Sequence, residues 1–166
     1  MLPDRRLRDS MTARPTEATT EARRRIMRSI RSRDTEPELA LRRALRSNGL
    51  FGYQVTPKEL PGCPDVAFAR QRLAIFVHGC FWHRCQSCRP HEPKRNAEFW
   101  RAKFLANVRR DDRRLRQLEG LGWEVMELWE CEMRTSISSA VLRVIRRISE
   151  LQDTSPERRR WKCRVH

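Results

Sequence analysis

The sequence predicts a mixed α/β fold built around a small sheet. Two observations carry the prediction. Short apolar or alternating stretches at 51–55, 65–69, 73–77 and 123–129 have strand length. Between and around them, segments at 35–47, 96–120 and 136–151 place apolar residues at helical spacing.

Residues 1–20 mix Pro, Thr, Arg and Asp without period and read as a disordered basic tail. Residues 21–30 are basic, with Ile26, Met27 and Ile30 at helical spacing, and read as a short helix. Thr35-Glu36-Pro37-Glu38 has the form of a helix start, with Thr35 as N-cap and Pro in the first turn. Leu39, Leu41, Ala44 and Leu45 continue that helix until Asn48-Gly49 stops it. The stretch 51–55 alternates as a strand does, and Leu60-Pro61-Gly62-Cys63-Pro64 is a turn. Strands follow at 65–69 and 73–77, and a cysteine-rich loop comes next. A long charged helix over 96–120 carries Phe99, Trp100, Phe104, Val108, Leu115 and Leu118. Gly122 ends it, 123–129 is a strand with Trp123 and Trp129 as core, and 136–151 is a last amphipathic helix. Residues 153–166 form a basic tail, leaving one domain over 21–152.

The chain has 36 Lys and Arg against 21 Asp and Glu, a formal charge of +15. Arg dominates, which suits bidentate contact with phosphate, so nucleic acid is the expected partner ahead of acidic proteins or membranes. No apolar run approaches the roughly 18 residues of a transmembrane helix. The N-terminus lacks the apolar core of a signal peptide. A cytoplasmic, nucleoid-associated monomer is the expectation. In that compartment six cysteines argue for metal binding or free thiols over disulfides.

Cys80, Cys85 and Cys88 form a C-x4-C-x2-C run, and Cys131 stands far down the chain at a strand end. Structural zinc takes four tetrahedral ligands, mostly thiolate, and would tie this loop to the sheet. His83 and His91 compete as fourth ligand; free thiols or a redox pair at Cys85 and Cys88 are the alternatives. Cys63 and Cys163 stand apart from the set.

Asp65 begins a strand after the Pro-bearing turn, exposed at a sheet end where a carboxylate can hold Mg²⁺. His78 ends the next strand beside it, the Val77 carbonyl offers a second oxygen, and His83 lies five residues on. Phosphodiester hydrolysis needs these types: a metal to offset charge and groups to move protons. The plainer reading makes Asp65 a turn residue, His78 a satisfied strand-end histidine and His83 a zinc ligand. Phe81 and Trp82, on a polar loop, can enter a base step at least cost where pairing is weak. Trp100 suits either stacking on a base or packing with Phe104 and Val108. Met27 and Ile30 suit either a minor-groove wedge or packing of their helix.

Assembled, these residues resemble the very-short-patch repair (Vsr) endonucleases. The resemblance rests on Met27-Arg28-Ser29-Ile30, Asp34-Thr35 with Glu38, Leu60-Pro61-Gly62 with Pro64-Asp65, and His78-Gly79-Cys80-Phe81-Trp82-His83. Glu98-Phe99-Trp100, Asn107, and Gly122-Trp123 leading to Trp129-Glu130-Cys131 extend it, for coverage of about 22–134. The resemblance implies a restriction-endonuclease-like fold, a mixed central sheet flanked by helices with a structural zinc site. It implies Mg²⁺-dependent nicking of double-stranded DNA 5′ of the T in T:G mismatches left by 5-methylcytosine deamination. Other mismatch-repair proteins become candidate partners. By the same resemblance Asp65 is the metal-binding aspartate, His78 and His83 are active-site histidines, and Glu38 is a helix glutamate near the site. Phe81, Trp82 and Trp100 match intercalating aromatics, Met27 and Ile30 the minor-groove wedge, and Cys80 and Cys131 zinc ligands. The chain departs from the pattern twice. Phe76-Val77-His78 stands where the wider nuclease superfamily carries acidic-x-Lys, so one carboxylate must hold the metal with the Val77 carbonyl and water. Cys85 stands where a histidine ligand is often found, with Cys88 after a one-residue insertion, which makes the expected zinc set all-cysteine. Two rivals remain: a non-catalytic zinc-stabilised binder of distorted DNA, and a restriction-type nuclease cutting matched duplex.

Overall fold

The computed structural model describes residues 33–153. Both expected tails and the basic helix with Met27 and Ile30 lie outside the described residues, except Asp153. Helix α1, Glu36–Ser47, starts at Thr35, whose backbone is extended as an N-cap requires. The Thr35 hydroxyl does not cap the backbone but donates to Glu38 Oε1 at 2.7 Å. The helix ends in paired return bonds, Leu50 N–H to Leu45 O and Gly49 N–H to Arg46 O, both 3.0 Å. That closure needs a left-handed residue, and Gly49 supplies it at φ +76°.

The sheet has the order β1-β2-β3, with β1 at Val66–Phe68, β2 at Leu73–His78 and β3 at Glu124–Trp129. β1 runs antiparallel to β2, with Val66 opposite Ile75. β3 runs parallel to β2, with His78 opposite Trp129. A parallel pair needs a long crossover, and most of it is helix α3, Ala97–Gly120. Helix α2 is a single turn, Cys80–His83. Helix α4, Glu130–Thr135, follows β3 directly, and α5 spans Ile137–Asp153.

Strand alternation sorts residues to two faces. Val66, Phe68, Leu73 and Ile75 join Leu41 and Leu45 of α1 and Ala140, Val141, Val144 and Ile148 of α5 in the main core. Ala74 and Phe76 face the other way and meet Leu118 of α3, rimmed by Leu60, Leu115, Trp123 and Val125. Asp65 and His78 fall on this second face by the same alternation. No described helix is long and apolar enough to cross a membrane.

The predicted strand at 51–55 is not formed. Only Gln54 pairs, with Ala67, through bonds of 2.8 and 2.9 Å. Left-handed Gly52 and Thr56 turn the backbone away on either side, and Phe51 is 69% exposed. The expected cysteine-rich loop opens with the α2 turn, and α4 was not expected at all.

Candidate active site

β2 ends at the site. Its Val77 N–H donates to Asp65 Oδ2 at 2.7 Å, which ties the carboxylate just ahead of β1 to the end of β2. Asp65 is half-buried, not exposed as its turn position suggested. Burial lifts its pKa to about 6 and Glu38 adds to the rise, while the Val77 N–H and the charges of His78 and Arg42 oppose it. Glu38 is buried; Oε2 takes Arg42 Nη2 at 3.2 Å. The turn ahead of Asp65 lies against α3: a Cβ on Gly62 would meet Arg114 Cδ at 2.9 Å.

His78 is buried, and its Nε2 meets Glu127 Oε1 at 2.7 Å. His83, brought round by the α2 turn, sets Nδ1 against Asp111 Oδ2 at 2.6 Å. The two rings lie 4.3 Å apart between centroids. Burial raises the Asp111 pKa, but the His83 hydrogen bond and nearby Arg110 outweigh it and hold the carboxyl below its usual range. His83 therefore belongs to this cluster and not to the cysteines.

The Sγ atoms of Cys80, Cys85, Cys88 and Cys131 all lie within 4.8 Å of one another. Cys85 and Cys131 sulfurs are 3.7 Å apart, and Cys131 N–H donates to Cys80 Sγ at 3.3 Å. Burial opposes ionisation of Cys85, yet the N–H groups of Cys88 and Ser87 and the neighbouring thiols bring it down to about 7. Four soft donors in one cluster fit a tetrahedral metal ion. His91 is exposed and outside the set.

Between these sites stands an aromatic surface. Phe81 packs edge-on to Trp82, Trp100 and Phe104 at 5.0, 5.5 and 5.2 Å. Trp100 stacks on Phe104 at 5.7 Å, so its core role is real, but it stays half-buried, as do Phe81 and Trp82. Lys103 Nζ lies 5.3 Å from the Trp82 ring, and Arg84 lies over Phe104 at 4.6 Å. Asn107 donates to Trp82 O at 3.0 Å, fixing the α2 turn on α3. Trp129, expected in the core, is half-buried against His78 at 5.2 Å between ring centroids.

Comparison with known proteins matches residues 16–89 to the family model for DNA mismatch endonuclease Vsr. A type II nicking enzyme, V.XorIIP of Xanthomonas oryzae pv. oryzae, is 43% identical over 114 residues, 68% of this chain and 82% of its own length. The DNA mismatch endonuclease Vsr of Escherichia coli is 42% identical over 108 residues, 65% of this chain and 69% of its own. The nicking enzyme V.NmeAIP of Neisseria meningitidis is 36% identical over 116 residues, 70% and 82%.

The chain belongs to the Vsr family.

As a Vsr-family nuclease it acts on DNA, and its family suggests a divalent metal. Around the candidate site the sequence assigned no role to Asp111 or Glu127, nor to Glu130, whose Oε2 accepts the Cys80 N–H at 3.3 Å. Two signals were available. Asp111 and Asp112 are the only acids between Glu98 and Glu119. Alternation along 123–129 puts Glu127 on the same face as Trp129, beside the end of β2.

Proposed function

We propose that this Vsr-family nuclease makes a Mg²⁺-dependent, strand-specific nick 5′ of the T in T:G mismatches that arise from 5-methylcytosine deamination. The observation that carries the reading is the α2 turn: Phe81 and Trp82 stand beside His83 on four consecutive helical residues. A weak base pair opened by those rings would lie next to the groups that cut. Trp100 extends the aromatic surface, and Met27 and Ile30 would enter from the minor groove. Residues 21–152 make up the nuclease domain, and the basic segments outside it add charge toward DNA.

The donor chemistry fits both metals. Asp65 and the Val77 carbonyl are hard oxygen donors that would hold Mg²⁺; Cys80, Cys85, Cys88 and Cys131 would hold zinc. Mg²⁺, when bound, offsets the charge that builds on the scissile phosphate and acidifies water there. His83 holds the attacking water in line with phosphorus and receives its proton as the P–O3′ bond breaks, the leaving 3′ oxygen taking a proton from solvent water, and Asp111 fixes the ring for that task. His78 and Glu38 orient further water, with Glu127 holding His78. Zinc would fasten the segment after α2 to α4, which carries Cys131.

The test is a strand-resolved nicking assay on duplexes that differ only by T:G against C:G, with and without Mg²⁺. The expected result is a Mg²⁺-dependent cut 5′ of the mismatched T and none on C:G. Equal cutting of both duplexes would favour a restriction-type enzyme, and binding without cutting a non-catalytic module.

A further inference from the structure

The two histidines are each held by a carboxylate through one ring nitrogen only. His78 spends Nε2 on Glu127 at 2.7 Å, and His83 spends Nδ1 on Asp111 at 2.6 Å. That leaves His78 Nδ1 and His83 Nε2 with no protein partner among the described residues, and neither is a buried orphan. The rings are 4.3 Å apart and tilted by 39°. Ligand atoms of His78, His83 and Asp111 all lie within 4.8 Å of one another. A histidine whose second nitrogen is anchored by a carboxylate is the common form of a metal-binding histidine, because the anchor fixes ring and tautomer and makes the free nitrogen more basic. Here two such units stand side by side, with ring centroids 4.3 Å apart. Imidazole nitrogen suits zinc, nickel and copper, whereas Mg²⁺ prefers oxygen. The carboxylate site at Asp65 and this imidazole pair are therefore different in kind, although they are neighbours.

We propose that His78 and His83, anchored by Glu127 and Asp111, form a second cation site that takes a borderline transition-metal ion such as Ni²⁺ or Zn²⁺. Water fills the remaining positions. An ion there takes the His83 nitrogen that the reading above assigns to the attacking water, so filling the site stops nicking even with Mg²⁺ in excess. This last consequence rests on the function proposed above; the binding itself does not.

Full-length protein, given one equivalent of zinc for its cysteine cluster and freed of any excess by gel filtration, is titrated with Ni²⁺ in a calorimeter. One ion per chain is expected, with at least about tenfold weaker binding in Asp111→Asn or Glu127→Gln, in line with the loss of an outer carboxylate. His83→Ala should abolish the binding and Asp65→Asn should keep it. Nickel binding that survives His83→Ala, or no binding in the unaltered protein, overturns the site. In the nicking assay with saturating Mg²⁺, Ni²⁺ should inhibit at the concentration where it binds. Binding without inhibition would overturn the blocking role alone. Absence of any Mg²⁺-dependent nicking would instead count against the proposed function and leave the calorimetric result to stand by itself.

Discussion

The two faces of the sheet are held by different chemistry. On one, Leu41, Leu45, Val66, Ile75, Val141 and Val144 are at most 1% exposed, and α1 and α5 close over them. On the other, the buried cluster is only Ala74, Phe76 and Leu118. Beyond it the same face passes to His78, Asp65, the carboxylate partners of the histidines and, past Gly79, the sulfurs. The first face is held by apolar burial, which is non-directional and tolerant of detail. The second is held by directed bonds, 2.6–2.7 Å at both histidines and at Asp65. Stability and chemistry are thus assigned to opposite sides, and substitutions should separate them.

The largest effect should come from Asp65→Asn. The loss of the anionic ligand should cost on the order of 4 kcal/mol of transition-state stabilisation, about a thousandfold in single-turnover nicking. Thermal unfolding should show no loss of stability. A fall in melting temperature matching the fall in rate would show that the two faces are one unit after all.

Leu45→Ala makes the opposite cut. Removing a fully buried leucine should destabilise by about 3 kcal/mol, read by urea unfolding. The nicking rate per folded molecule should stay within about twofold of the parent. A much larger drop in rate would mean that packing under α1 sets the position of Glu38 at the site.

Acidity sharpens the contrast on the second face alone. In the folded chain burial carries Asp65 from the ordinary 3.8 up to about 6. Between those values the folded state keeps a proton that the unfolded chain has released. Stability in Mg²⁺-free buffer should therefore fall as pH rises through that window, by about 2–3 kcal/mol, and level off above it. The difference between the parent and Asp65→Asn, followed by urea unfolding at pH 4 and 7, isolates the contribution. Equal pH dependence in both would place the rise elsewhere.

Much of the fold was legible because its signals are local. Thr35, Pro37 and Gly49 mark the two ends of α1 within one turn of chain, and β2 announces itself by the unbroken apolar run 73–77. The segment at 51–55 misled because alternation reports two faces but not a partner strand, and left-handed Gly52 and Thr56 leave room for one bridge. α4 was hidden because Trp129-Glu130-Cys131 reads as a strand end, while the helix forms by packing Met133 into the core across α5. At the site, Asp65, Val77, His78 and His83 were legible by residue type and position. Their partners were not, since His83 meets Asp111 across 28 residues and His78 meets Glu127 across 49. A carboxylate that matters only through a distant ring carries no signature of its own.

The α2 turn has a metrical consequence. Four residues at about 1.5 Å each make an element only about 6 Å long. Cys80 at its start lies in the sulfur cluster, and His83 at its end meets α3 through Asp111. Phe81 and Trp82 cannot move along this turn without carrying His83 with them. If those rings open the base pair as proposed, covalent geometry sets its distance from the bond to be broken, a ruler one helical turn long.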